Sequence, residues 1–100
     1  MAIVAISPED RLEGASNFNT WKARVLTLLE EHELDHFVTS EVEMPIFTIG
    51  RSAFRKNQAK AKRIIFDSVK DSILIVLIPL KTPKECFDTL LNFYEKKVPS

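Results

Sequence analysis

The segment His32-Glu33-Leu34-Asp35-His36 has the residue types and spacing of a metal-dependent hydrolase motif. It matches H-E-x-x-H, in which two histidines on one helical face bind zinc and the glutamate acts as general base. A catalytic zinc also needs a third protein ligand, and the chain contains no third histidine. The apolar period changes phase near Glu31–Glu33, which predicts a helix break inside the motif. We therefore expect two partly exposed histidines with no metal role, and a zinc hydrolase remains a distant alternative.

Cys86 is the only cysteine of the chain, which excludes an intramolecular disulfide and any multi-cysteine zinc site. It stands beside Phe87 near the start of a predicted amphipathic helix. We therefore expect a small residue at the edge of the core rather than a nucleophile. The serines and carboxylates form no other catalytic pattern. The sequence predicts a protein that is not an enzyme, with no catalytic residue, no bound metal and no cofactor.

Charge is balanced over the whole chain but unevenly placed along it. Residues 1–50 carry three basic and nine acidic side chains, whereas residues 51–100 carry eleven basic and five acidic ones. One interpretation is two solvated faces that attract each other within one fold; the other is a molecule that stacks on copies of itself. Between Met44 and Phe66 there is no acidic residue, and six cations there form a candidate electrostatic contact surface for protein or RNA: Arg51, Arg55, Lys56, Lys60, Lys62 and Arg63.

Any contact of this surface with RNA is expected to be weak and not sequence-specific. Single-stranded nucleic acid binding usually combines cations with aromatic side chains on which bases stack. Only Phe54 lies among the six cations, and the helical pattern directs it to the core.

Apolar spacing predicts an all-α fold, a compact bundle of about five helices in one domain over residues 1–100. The first helix follows Asn17, and a short second helix follows the break. The third begins near Ser52 and carries the six cations. A fourth, capped by Asp71 or Ser72, stops at Pro79. The last begins at Thr82-Pro83-Lys84-Glu85, the spacing of a capping box, and ends near Lys96 and Lys97.

Two segments are expected to lie outside the helices: an N-terminal arm at residues 1–11 and a loop at residues 39–51. The run Ile73–Ile78 is apolar on every side, as a central strand would be. Ile3–Ile6 and Ile46–Ile49 could pair with it, so a small α/β sandwich is the competing fold. Because both partners are short, a fully buried fourth helix is preferred.

Several motifs occur in order along the chain: Leu12-Glu13-Gly14, Asn17-Phe18-Asn19-Thr20-Trp21, Ala59-Lys60-Ala61-Lys62-Arg63-Ile64-Ile65, Thr82-Pro83-Lys84-Glu85, Leu90 and Tyr94. Over about residues 12 to 94, this series resembles the N-terminal Gag region of copia-type LTR retrotransposons. Phe87 stands where that family usually has tryptophan, and Phe54 lies near another frequent tryptophan. Both departures keep an aromatic ring.

The resemblance implies a helical, capsid-type domain whose role is structural and whose partners are itself or other Gag-region chains. In a host-domesticated descendant it implies a module that binds another protein. Gly14 would permit a tight turn, Asn17 would cap the first helix, and Phe18 and Trp21 would anchor the loop to the core. The residues that match the family motif or its core are Leu12, Gly14, Asn17, Phe18, Trp21, Ile65, Phe87, Leu90 and Tyr94.

The expected location is the cytoplasm, with no membrane partner. The single cysteine fits a reducing compartment. Residues 1–6 have no basic segment of the kind that begins a signal peptide. The longest apolar run, Ile73 to Leu80, is far shorter than the roughly 20 residues of a membrane-spanning helix. Family Gag chains often carry a Cys/His zinc knuckle, which this chain lacks, so we expect an excised domain, a degenerate element or a host-adopted descendant.

Overall fold

A computed structural model describes residues 6–95 and shows an all-α bundle. Its helices are α1 (Phe18–Glu31), α2 (His36–Thr39), α3 (Thr48–Asp67), α4 (Asp71–Leu77) and α5 (Pro83–Tyr94). Short 3-10 helices at Pro8–Asp10 and Ala15–Asn17 precede them. The expected Ile3–Ile6 partner strand and the expected helix end at Lys96 and Lys97 fall partly or wholly outside the described residues. Ile6 itself packs against the core.

The core lies where α5 packs against α2 and α3, and where α1 packs against α3. The stripe Trp21, Val25 and Leu29 is fully buried on α1, as the spacing of four residues predicts. Phe87 and Leu90 are the matching buried residues of α5. No strand occurs in residues 6–95, where a single parallel bridge joins Leu12 to Val69. The α/β sandwich is therefore excluded for this part of the chain.

The predicted helix break is confirmed. α1 ends at Glu31, the chain turns through Glu33 with a positive φ of 57°, and α2 begins at His36. The start of α5 is also as predicted. The Thr82 hydroxyl accepts a hydrogen bond from the Glu85 N–H at 3.1 Å, while the Glu85 carboxylate accepts one from the Lys81 N–H at 2.9 Å. The capping residues therefore satisfy backbone donors at both sides of the cap.

α3 begins at Thr48, one turn before the expected start at Ser52, so the loop prediction of residues 39–51 is too long at its end. Gly50 explains the difference. A Cβ at Gly50 would lie 3.2 Å from the Pro45 Cβ, which is closer than side chains normally pack. Glycine therefore lets the first turn of α3 pack against Pro45 instead of ending the helix. No side chain caps α3, and none caps α4, whose N-terminal flanking residue is Lys70.

The expectation of a fully buried fourth helix is wrong. Ile73 and Leu77, four residues apart, face the core, whereas Ile75 and Ile78 are 69% and 59% exposed. Residues at this spacing share one side of a helix, so a single helix in contact with the core on one side buries only that row. Within residues 6–95, no helix is both long and apolar enough to cross a bilayer.

Candidate interaction surfaces

The H-E-x-x-H segment does not form a zinc site of the kind its spacing suggests. His32 follows the last residue of α1 and His36 begins α2, so the two histidines do not share a helical face. The His36 ring instead lies 4.5 Å from the ring of Phe37. Within residues 6–95, no three His, Cys, Asp or Glu side chains are grouped so as to hold a metal ion. The histidines lie at a helix break rather than in a cleft.

Cys86 lies in the core rather than at its edge. Its side chain is fully buried, and its Sγ lies 3.9 Å from the Leu77 carbonyl oxygen. Burial raises the pKa of the Cys86 thiol to about 11, because the charged thiolate loses its hydration there. A buried, protonated thiol is a poor nucleophile near neutral pH.

Residues near both ends of the motif series meet in one aromatic cluster. The Phe18 ring lies 5.6 Å from that of Trp21 and 5.8 Å from that of Tyr94, and the Trp21 and Phe87 rings stack at 6.0 Å. Such ring pairs stabilise a core beyond the apolar area they bury. Leu12, Ile65 and Leu90 are also buried, and Tyr94 is half-buried. This group of residues is therefore a core.

Asn17 does not cap α1 with its side chain, contrary to the expectation. Its Oδ1 accepts a hydrogen bond from the Glu13 N–H at 3.0 Å, and its Nδ2 donates one to the Arg11 carbonyl at 2.9 Å. The side chain thus closes the loop that precedes α1. Gly14, inside that loop, has a φ of 157°, which a residue with a Cβ adopts only with strain.

The six predicted cations all lie on α3, and we call them the basic face: Arg51, Arg55, Lys56, Lys60, Lys62 and Arg63. Lys62 is half-buried and the others are exposed. Arg63 pairs with Asp67 at 3.4 Å, and the Lys62 Nζ lies 5.4 Å above the Phe66 ring. Among the residues that the structure describes, no ion pair is formed by Arg51, Arg55, Lys56 or Lys60. Most of this positive charge is therefore unneutralised.

Three large apolar side chains stand exposed at the N-terminal end of α3, beside the basic face. Ile46, Phe47 and Ile49 are 87%, 77% and 95% exposed, and we call them the apolar tip. A second apolar surface, the α4 row, consists of Ile75, Val76 and Ile78. Sequence reasoning missed the α4 row, because a run that is apolar on every side gives no indication of which side is exposed.

A shallow groove runs along α1 on the side away from its buried stripe. It is lined by Ile6 and by five residues of α1: Ala23, Arg24, Thr27, Leu28 and Glu31. Arg24 pairs with Asp10 at 3.2 Å, whereas Glu31 forms no ion pair within residues 6–95. The exposed Glu30 adjoins Glu31 at the end of α1. The groove therefore combines apolar side chains, Ile6, Ala23 and Leu28, with the exposed carboxylate of Glu31, and we call it the α1 groove.

Comparisons of the chain with protein-family models, with curated proteins and with solved structures gave no match. What the chain does is therefore inferred from its own surfaces.

Proposed function

We propose that this chain is a non-enzymatic structural domain that self-assembles in the cytoplasm, as a Gag/capsid-type domain of a copia-like retroelement does. The observation that carries the proposal is the basic face, whose charge is largely unneutralised within residues 6–95. Exposed acidic residues such as Glu30 and Glu31 lie on a different helix. Contacts between unlike surfaces of identical molecules are head-to-tail, and they form rings or open arrays. A shell-forming protein needs this geometry.

The position of the motif residues supports the same proposal. Those that match the Gag pattern most specifically, Leu12, Phe18 and Trp21, are buried. Phe18 and Trp21 pack against α5, and Leu12 pairs with Val69. Buried apolar side chains act on stability rather than on a substrate. The helical bundle also agrees with the fold that the resemblance implies.

We expect RNA to contact the basic face of an assembly through its phosphates. Phe54 lies 5.4 Å from the Phe37 ring, so it packs inward and does not offer a face for base stacking. Phe66 is half-buried beneath Lys62. Binding of this kind weakens steeply as salt concentration rises.

The α4 row favours a second candidate function, a domesticated Gag-fold module that binds another protein. Ile75 and Val76 on α4, with Ile78 directly after it, are three exposed, branched apolar side chains, which is typical of a surface that another chain covers. This contact is apolar, so salt would not weaken it.

Analytical ultracentrifugation over a range of protein concentrations tests the assembly proposal. We expect weak self-association at about 0.05 M salt that diminishes towards about 0.5 M, because the Debye length shortens severalfold. The variant Arg55→Glu/Lys56→Glu/Lys60→Glu should associate less, since its basic face becomes acidic. Lys81→Glu, an exposed cation outside the basic face, is the control and should associate as the wild type does.

A strict monomer at high protein concentration and low salt would contradict self-assembly and leave the protein-binding module. Association that persists or strengthens with salt would instead assign the contact to an apolar surface.

A further inference from the structure

The apolar tip and the α1 groove both expose apolar side chains, yet they do not occupy one another within a molecule. The tip residues are at least 77% exposed, so they cannot lie in the groove of their own chain. The groove offers Ile6 and Leu28 as apolar lining residues, both half-buried. An apolar projection and an apolar recess on the same chain can meet only between two copies.

The charges beside these two surfaces are opposite in sign. Arg51 and Arg55, one turn apart on α3, follow the tip directly, and both are exposed. Glu31 lines the groove and Glu30 precedes it at the end of α1, and both are exposed. None of the four forms an ion pair within residues 6–95, whereas Arg24, the cation at the groove, is already paired with Asp10.

We propose that the apolar tip of one copy docks in the α1 groove of a second copy, with Arg51 and Arg55 facing Glu30 and Glu31. The contact joins unlike surfaces, so each molecule keeps a free tip or a free groove and the chain of contacts can continue. The inference rests on the proposed self-assembly and identifies the surfaces that carry it. Three apolar side chains and two charge pairs make a small interface, which fits weak association.

Charge exchange between the two surfaces tests the contact. Arg51→Glu/Arg55→Glu makes both surfaces acidic, and Glu30→Arg/Glu31→Arg makes both basic. Each variant alone should self-associate at least about tenfold more weakly than the wild type, because like charges then face each other. An equimolar mixture of the two should associate again. Circular dichroism establishes that each variant is folded.

A single chain with all four substitutions controls for net charge, because it has the same net charge of zero as the wild type. Its charges are exchanged in place, so it should self-associate like the wild type. A matched apolar pair completes the test. Phe47→Ser in the tip should lower association about tenfold, whereas Ile75→Ser in the α4 row should leave it unchanged.

The outcomes distinguish failure of this contact from failure of self-assembly. If the wild type associates and neither charge variant weakens it, this contact is wrong while self-assembly stands through another surface. A second outcome is that only Arg51→Glu/Arg55→Glu weakens self-association and the fourfold variant does not restore it. The basic residues then face something other than Glu30 and Glu31, which also overturns the contact. A monomeric wild type refutes self-assembly itself. If that monomer sediments with phosphatidylserine vesicles in a Phe47-dependent manner, the tip's occupant is a lipid surface rather than a second copy.

Discussion

At the scale of single residues, the indole of Trp21 joins α1 to Ser68, at the end of α3, and to Phe87 of α5. Its Nε1–H donates to the Ser68 carbonyl at 2.9 Å and lies 3.0 Å from the Ser68 Oγ, and its ring stacks on Phe87. Ser68 is the one buried polar residue in the part of the chain described. The resemblance implies that Trp21 anchors the core, and its spacing of four residues from Val25 agrees with its burial. Its polar partner could not be predicted, because Ser68 lies 47 residues away and helical periodicity describes only near neighbours.

Replacement of Trp21 should therefore be costly. We expect Trp21→Ala to lower the free energy of unfolding by about 3–5 kcal/mol, because it leaves a cavity in the core. Trp21→Phe keeps a ring and loses the indole N–H, so it should cost less, about 1–2 kcal/mol. The Ser68 carbonyl remains satisfied in that variant, since the Leu12 N–H also donates to it at 2.9 Å.

Urea unfolding followed by circular dichroism measures both losses. Phe93 is 60% exposed, so Phe93→Ala is the aromatic control and should change stability by no more than about 0.5 kcal/mol. A loss below about 1 kcal/mol for Trp21→Ala would contradict its place in the core.

At the scale of helices, local signals predicted the start of α5, whereas packing decides the start of α3 and the buried side of α4. The start of α5 is marked by four consecutive residues, Thr82 to Glu85, and the structure has Thr82 as the cap and Pro83 as the first helical residue. The start of α3 was missed because it depends on the packing of Gly50 against Pro45. The buried side of α4 was missed for a different reason. Ile73–Ile78 carries no polar residue to mark a solvent-facing side, so only the tertiary neighbours decide it.

A pair of matched substitutions on α4 tests which side of this helix is buried. Ile73 is 6% exposed and Ile75 is 69% exposed, although they are the same residue type two positions apart. We expect Ile73→Ala to cost about 2–5 kcal/mol of unfolding free energy, because buried methyl groups are lost. Ile75→Ala should change it by about 0.5 kcal/mol or less. Thermal unfolding of dilute protein measures both, and equal losses would contradict the orientation of α4.

At the scale of the whole molecule, the residues that stabilise the fold differ from those of the proposed association surfaces. Within residues 6–95, the ion pairs that join the acidic first half to the basic second half are Lys22–Glu95 and Lys70–Glu13. Both are partly solvent-exposed, and exposed pairs contribute only about 0–1 kcal/mol each. The core instead joins the halves through apolar contacts, since Leu12 and Trp21 belong to the same buried cluster as Phe87 and Leu90. The basic face and the apolar tip lie outside that cluster.

The division between core and surface predicts that dilute monomeric protein unfolds in one cooperative transition that salt scarcely alters. The chain has a single tryptophan, Trp21, so its fluorescence reports on the core, while far-ultraviolet circular dichroism reports on all five helices. Small single domains usually give coincident transitions by such probes. We expect one midpoint from both, with a change in unfolding free energy below about 1 kcal/mol between 0.05 and 0.5 M salt. The proposed self-association should decline markedly over the same salt range, because the proposed contact uses the unneutralised cations of α3. Loss of helix at a lower temperature than the fluorescence change would show that one helix unfolds separately, and the common core would then be contradicted.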